Sequence, residues 1–162
     1  MDKTNEFLKI FRKAEKKYGR SSKRLAGDMA SWREPWKVLI ATMLSAQSRD
    51  EVTIRIAESL FERYGSLEAL SRARYGGVLA VLKSMNYNRT KAKHVLETAR
   101  VLVKEFGGKV PDSLEELVRL PGVGRKTANL VVSECFGKPG ICVDTHVHRI
   151  ANVFGIVDTR TP

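Results

Sequence analysis

Between glycines and prolines that are few and widely spaced, the apolar residues of this chain recur every three or four positions and hold no sustained alternation. That is the spacing of a buried helix face and not of a strand, so the chain is expected to be all-α. Its 162 residues are 43% hydrophobic, and at this size roughly 70% of the unfolded surface can be buried, so neither a disulfide nor a structural metal is needed to hold a core. Cys135 and Cys142, the only cysteines, are expected as reduced, buried thiols rather than a bridge.

The periodicity divides the chain into helices. The first is expected over 3–18, with Phe7, Phe11, Ala14 and Tyr18 on one stripe, and a basic linker, 20–24, follows it. The second starts near Pro35, a residue tolerated in a first turn, and runs through Trp36 to Ala46; it is apolar on nearly every face and so belongs at the centre of the domain. Asp50 is placed to cap a third, which reaches Tyr64, and Ser66 a short fourth carrying Leu67 and Leu70. Further helices are expected over 75–84 and 90–106, the latter burying Ala92, Val95, Leu96, Ala99, Leu102 and Val103. Ser113 with Glu116 has a capping-box pattern that opens a helix through Val118. The pattern breaks at Leu120-Pro121-Gly122-Val123-Gly124 and resumes at Ala128, Val131 and Val132, which spells helix, tight hairpin, helix. Asp144 is placed to cap a last helix over 145–154.

Lysine and arginine total 29 against 18 acidic residues, a formal charge of +11. An excess of this size makes a polyanion the default partner, nucleic acid first and a membrane surface second. No apolar run approaches the ~18 residues of a membrane span, and the N-terminus has no signal-peptide core, so an intracellular, cytoplasmic protein without a membrane partner is expected.

The hairpin carries the most chemistry. Two glycines one residue apart let the backbone turn with its N–H groups exposed just ahead of a helix N-terminus, a nest suited to phosphate, with Arg125 beside it. A glycine-containing turn with no ligand has the same spacing. Lys126, one turn into the helix, either extends into solvent or, if the hairpin holds a phosphate, reaches the adjoining sugar and attacks C1′ once it has lost its proton. Partial burial would help it do so, and Asp144 at the head of the next helix offers a carboxylate to take that proton. The plain alternative for Asp144 is an N-cap, and a cap can fill both roles. His146 and His148 are two apart on a helix and point to different faces, so no metal site is expected from them.

LPGVGRKTAN followed by VDTH resembles the helix-hairpin-helix DNA glycosylases of the endonuclease III family. LIATMLSAQSRD at 39–50 is similar to that family's buried helix with its Ser-Ala-Gln turn, and LKSMNYNRTKA at 82–92 to its second DNA-facing loop, so the resemblance spans about 36–155. It implies a helical bundle in two lobes around a cleft for a flipped nucleotide. It makes Lys126 the Schiff-base nucleophile, Asp144 the assisting carboxylate, and Gly122, Val123, Gly124 and Arg125 the phosphate-binding hairpin. Gln47 matches the residue inserted into the gap left by the flipped base, and Tyr87 the second wedging position. By themselves those two residues suggest only a polar helix end and a half-buried core tyrosine.

On the same grounds residues 1–24 form an N-terminal helix and linker of the second lobe, 25–140 a helical barrel with the hairpin, and 141–162 the start of the second lobe. Two departures stand out: Asn86 and Asn88 occupy positions where relatives commonly carry glycine and an aromatic, and the cysteine-rich run that holds a [4Fe-4S] cluster in relatives is absent. No cofactor or metal is therefore expected in this chain, and the first helix is expected to expose part of its apolar stripe. The implied function is base-excision repair by a bifunctional glycosylase and abasic-site lyase, acting as a monomer on double-stranded DNA with oxidised pyrimidines or abasic sites. Its rivals are a non-catalytic helix-hairpin-helix DNA-binding module, a monofunctional mismatch glycosylase and a basic RNA-binding protein.

Overall fold

The computed structural model describes residues 3–19 and 32–162, and these are helical, without strands. The basic linker expected over 20–24 lies outside the described residues. In chain order the helices are α1 (Lys3–Tyr18), α2 (Pro35–Ser45), α3 (Asp50–Arg63), α4 (Leu67–Ser71), α5 (Tyr75–Val81), α6 (Asn88–Glu105), α7 (Leu114–Leu117), α8 (Arg125–Phe136) and α9 (Thr145–Val153). They fall into two compact units. One holds α1 and Cys142–Pro162, the other the described residues 32–141.

In the larger unit α2 is the central helix, as its all-round apolarity requires. Leu39, Ile40, Ala41 and Leu44 have no solvent exposure, and α2 packs against α3, α6 and α8. Those helices turn Ile56, Ala57 and Leu60, then Val95, Ala99 and Leu102, then Ala128 and Val131 towards the same core. Each such side chain contributes about 1.5–3 kcal/mol relative to an exposed one, which offsets part of the cost of ordering the backbone. At one edge Phe61 meets Trp32 and Trp36 edge-on, ring centroids 5.3 and 5.2 Å away.

The helix ends follow local chemistry, with three corrections. Asp50 does not cap α3; Arg49 is the N-cap residue without a side-chain bond, and Asp50 sits in the first turn, where its charge meets the positive helix end. The helix expected over 75–84 stops at Val81, and α6 begins at Asn88 rather than Thr90 because Tyr87 turns left-handed immediately before it. Elsewhere the capping residues act as their chemistry suggests: Ser66 accepts from Ala69 N–H, Ser113 from Glu116 N–H, and Gly137 ends α8 in the left-handed region.

In the smaller unit Phe7 of α1 packs on Phe11 and Phe154, with centroids 5.9 and 6.0 Å away. Phe11 remains 53% exposed and Leu8 and Ile10 are exposed too. His148 Nε2 lies 3.0 Å from the Thr159 carbonyl and 3.1 Å from its hydroxyl, so this imidazole fastens the segment after α9. No helix among the described residues is long and apolar enough to cross a membrane.

Cys135 and Cys142 are half-buried thiols. Burial, with Glu134 adding repulsion, pushes the Cys135 thiol up to about 11. At pH 8 only about one Cys135 in a thousand is then thiolate, the form that reacts. Iodoacetamide is expected to label Cys135 at least about a hundredfold more slowly in the folded chain than in urea, read by peptide mass spectrometry. Equal rates in the two states would contradict this burial.

Candidate active site

The hairpin is built as its sequence demands. Ser113 Oγ donates to Glu116 Oε2 at 2.9 Å and accepts from the Glu116 N–H, which starts α7. After α7, Val123 N–H returns to the Leu120 carbonyl at 3.1 Å and buries the Val123 side chain in the core. Gly122 takes φ +75°, and a Cβ there would lie 2.5 to 2.9 Å from atoms of the His94 side chain. Only glycine meets both conditions. Gly124 is the N-cap residue of α8, which has no side-chain cap. Both glycines are exposed, and their amides find no acceptor among the described residues. Amides of this kind at the positive end of a twelve-residue helix suit an anion. Lys138 closes the motif from behind: its ammonium bonds Asp112 Oδ2 at 2.7 Å and the Asp112 carbonyl at 2.9 Å, which holds the Asp112 carboxyl below its usual range.

Arg125 and Lys126 occupy the first two positions of α8, and both are exposed. The partial burial expected for Lys126 is therefore not found in the chain by itself. Position explains it, since the first turn of α8 follows directly on the exposed glycines and its inward residues begin at Ala128. Asp144 belongs to the other unit and is the N-cap of α9, its Oδ1 accepting from His146 N–H at 3.0 Å and Val147 N–H at 2.8 Å. Two N–H donors fix the carboxylate rigidly.

Gln47 and Tyr87 share a property the sequence does not announce. They are the only non-glycine positions with positive φ among the described residues, at +53° and +55°. Gln47 follows α2 in a turn with Ala46 at φ −53°, ψ 119° and a Ser48 N–H to Ser45 carbonyl bond of 3.0 Å. This is type II geometry, in which Gln47 takes the position normally given to glycine. The helix expected to reach Ala46 thus stops at Ser45, and the turn lifts Gln47 off its end, exposed. Tyr87, expected from its own chemistry to be half-buried, is 66% exposed.

Asn86 and Asn88 are the means by which this second loop is held. Asn86 Nδ2 donates to the Gln47 carbonyl at 3.3 Å and so joins the two loops, while Asn88 Nδ2 donates to the Lys83 carbonyl at 2.9 Å. Sequence reasoning also missed three residues on α6. Lys91, His94 and Thr98, spaced i, i+3, i+7, line one face of that helix. Lys91 Nζ donates to the Leu44 carbonyl and to Ser48 Oγ, both at 2.8 Å. His94 stands against Gly122, and Thr98 Oγ1 donates to the Pro121 carbonyl at 2.8 Å. Polar residues interleaved with the apolar stripe of α6 were the available signal. That one face braces both the Gln47 turn and the glycine hairpin, and a cavity of only about 20 Å³ remains between Lys91, His94 and Gly122.

Two cysteines cannot supply the four thiolates of an iron-sulfur cluster, and no group of three or more potential ligand side chains exists among the described residues. The residues present therefore do not fit such a cofactor.

A helical fold in which a glycine hairpin leads into a helix with lysine in its first turn defines a helix-hairpin-helix protein. The family model for HhH-GPD superfamily base excision DNA repair proteins matches residues 40–162, and the chain belongs to that family. Endonuclease III of Thermotoga maritima is 50% identical over 129 residues, which covers 80% of this chain and 61% of the relative. Endonuclease III of Bacillus subtilis is 41% identical over 122 residues, covering 75% and 56%. The chain thus spans about three fifths of the length of the curated relatives it matches. A solved structure of a trapped endonuclease III–DNA covalent intermediate superimposes with a TM-score of 0.80 at 32% identity, over 93% of this chain and 68% of that one.

Proposed function

We propose that the chain is a DNA glycosylase with abasic-site lyase activity, acting on duplex DNA with oxidised pyrimidines or abasic sites. The observation that carries this reading is the placement of Lys126 two residues past Gly124, in the first turn of a helix whose preceding glycine amides are exposed and without an acceptor among the described residues. The amides of Gly122 and Gly124, with Arg125, take a backbone phosphate and so set the register of the strand without reading its sequence. Val123 is the buried pin between them. The damaged nucleotide leaves the stack, and Gln47 and Tyr87, exposed on left-handed turns, enter the gap and stack on neighbouring bases.

Lys126 Nζ, as the neutral amine, then attacks C1′. The glycosidic bond breaks, its electron pair leaves with the base, and the base takes up a proton. Asp144, its carboxylate oriented by two amide donors, takes the role of stabilising the positive charge that develops on the sugar. The nitrogen gives up one proton, the C1′–O4′ bond breaks with its electron pair going to O4′, which takes up a proton, and the opened sugar is left as a protonated Schiff base. That imine acidifies the 2′ hydrogen, and β-elimination expels the 3′ phosphate. Water hydrolyses the imine and restores Lys126. The protein acts as a cytoplasmic monomer on the cell's own DNA, and these steps use no cofactor.

Borohydride reduction on a duplex with a single abasic site tests the reading. A covalent adduct on the peptide containing Lys126 supports the lyase; duplex binding with no adduct means a non-catalytic module. Preference for single-stranded RNA in competition at fixed salt would mean a general nucleic-acid binder. Gln47→Gly separates the wedge from the fold. Relief of the left-handed strain, about 1 kcal/mol, is offset by the greater freedom of glycine in the unfolded chain, so the thermal midpoint should not fall. Processing of duplex lesions should drop at least about tenfold, because the side chain that fills the gap is gone. A lower midpoint with unchanged processing would reverse the assignment.

A further inference from the structure

We propose that Lys91 is a positioning residue for Gln47: from α6 it holds the turn that presents this side chain to the duplex. The inference rests on the function proposed above and adds to it a residue that does not touch DNA.

Lys91 is a lysine in the wrong place for a lysine. Only 8% of it is exposed, and no carboxylate is among its hydrogen-bond partners. Burial holds its pKa below the ordinary lysine value. Placing an ammonium in a core is costly unless its protons are taken up. Here two of them are, by the Leu44 carbonyl and Ser48 Oγ, the groups that flank Gln47 in the chain. The Leu44 carbonyl is one of the last four of α2, which lack acceptable partners within the helix and form its negative end. The ammonium therefore does what a left-handed glycine would do at an ordinary helix end, and leaves Gln47 to take up the left-handed position itself.

Two further contacts make this a clamp. The Ser48 N–H closes the type II turn on the Ser45 carbonyl, so fixing Ser48 from its side chain fixes the far end of the turn. Asn86 Nδ2 holds the Gln47 carbonyl from the Tyr87 loop. Without the ammonium, the strained φ of Gln47 has nothing buried to oppose its relaxation, and the side chain is no longer aimed. Methionine at 91 would keep most of the stem volume and remove the donors.

The test pairs two measurements on Lys91→Met and on the milder Ser48→Ala. In the first, 2-aminopurine is placed opposite a tetrahydrofuran abasic analogue in a duplex, and its fluorescence reports entry of the wedge at saturating protein. In the second, borohydride trapping is run on a single-stranded abasic oligonucleotide, which has no base stack to fill. Lys91→Met is expected to cut the fluorescence change at least about fivefold, and Ser48→Ala by about half that factor, because loss of aim at an otherwise intact site is expensive. Single-strand trapping should stay within about twofold of wild type for both, since the hairpin and Lys126 are untouched.

A wild-type fluorescence change in Lys91→Met overturns the proposal. So does a parallel loss in both assays, which would mean that Lys91 only supports the fold; if Lys91→Met does not fold, the same two outcomes are read from Ser48→Ala. A wild-type chain that fails to trap the single strand sinks the lyase reading instead, and the fluorescence comparison still decides Lys91.

Discussion

Lys126→Ala is expected to lower strand cleavage at an abasic site by at least about a thousandfold while duplex affinity changes only a few-fold, because the lost group is the proposed nucleophile and only one of many positive charges. Lys126→Arg is the sharper variant. It keeps the charge at the head of α8 and hence the attraction to phosphate, but a guanidinium does not surrender its proton and cannot form the imine. Arginine should therefore bind like wild type and cleave no better than alanine. Cleavage would be followed on denaturing gels and affinity by fluorescence anisotropy at one salt concentration. Either variant cleaving within tenfold of wild type would exclude Lys126 as the attacking amine. The exposure of Lys126 bears on this experiment. The side chain is exposed, so bound DNA has to take water from it, and the penalty of the substitution should fall on turnover more than on binding.

How far such a site can be read from sequence depends on whether its parts are local. The glycine hairpin is legible because φ +75° at Gly122 and the Ser113 and Asp144 caps are set within a few residues of chain. The ends of α2 and the start of α6 are less so. Ala46 and Tyr87 have side chains that helices accept, and what takes them out of the helical pattern is the pair of left-handed turns at Gln47 and Tyr87. Those turns are held across the fold: Lys91 reaches back 47 positions to Leu44, Asn86 reaches 39 to Gln47, and Thr98 reaches 23 forward to Pro121. No window of periodicity contains both partners. A lysine on a buried helix face looks like a misplaced solvent residue until the carbonyl it caps is seen. The same distinction explains why Asn86 and Asn88 looked like departures from the family pattern. Their amides secure the loop by side-chain bonds, a solution that differs in residues while still leaving Tyr87 exposed.

Gly122→Ala and Gly124→Ala should part company, and the difference decides whether the hairpin is a ligand site or only a turn. At Gly122 a methyl group meets two penalties. Left-handed φ costs about 1–2 kcal/mol for a residue with a Cβ, and that Cβ falls within 2.9 Å of three His94 side-chain atoms, including His94 Cβ, which no rotation moves away. Overpacking of this sort adds about 1–3 kcal/mol, so urea denaturation should show a loss of about 2–5 kcal/mol in all. Adding His94→Ala removes the ring atoms but keeps Cβ, so it should return only part of the second penalty and leave the first, a coupling of about 1 kcal/mol in the double-mutant cycle. At Gly124 neither penalty exists: φ is −93° and nothing lies within 4 Å of the added Cβ. Stability there should stay within about 0.5 kcal/mol. Yet if a phosphate sits on these amides, a methyl on Gly124 props it away from the helix end, and duplex affinity should fall about tenfold at constant salt, the loss of one or two charge-assisted hydrogen bonds. Unchanged affinity in Gly124→Ala would mean that the exposed amides meet water in the complex as they do in the free chain, and the grip on the strand would have to come from side chains such as Arg125 alone.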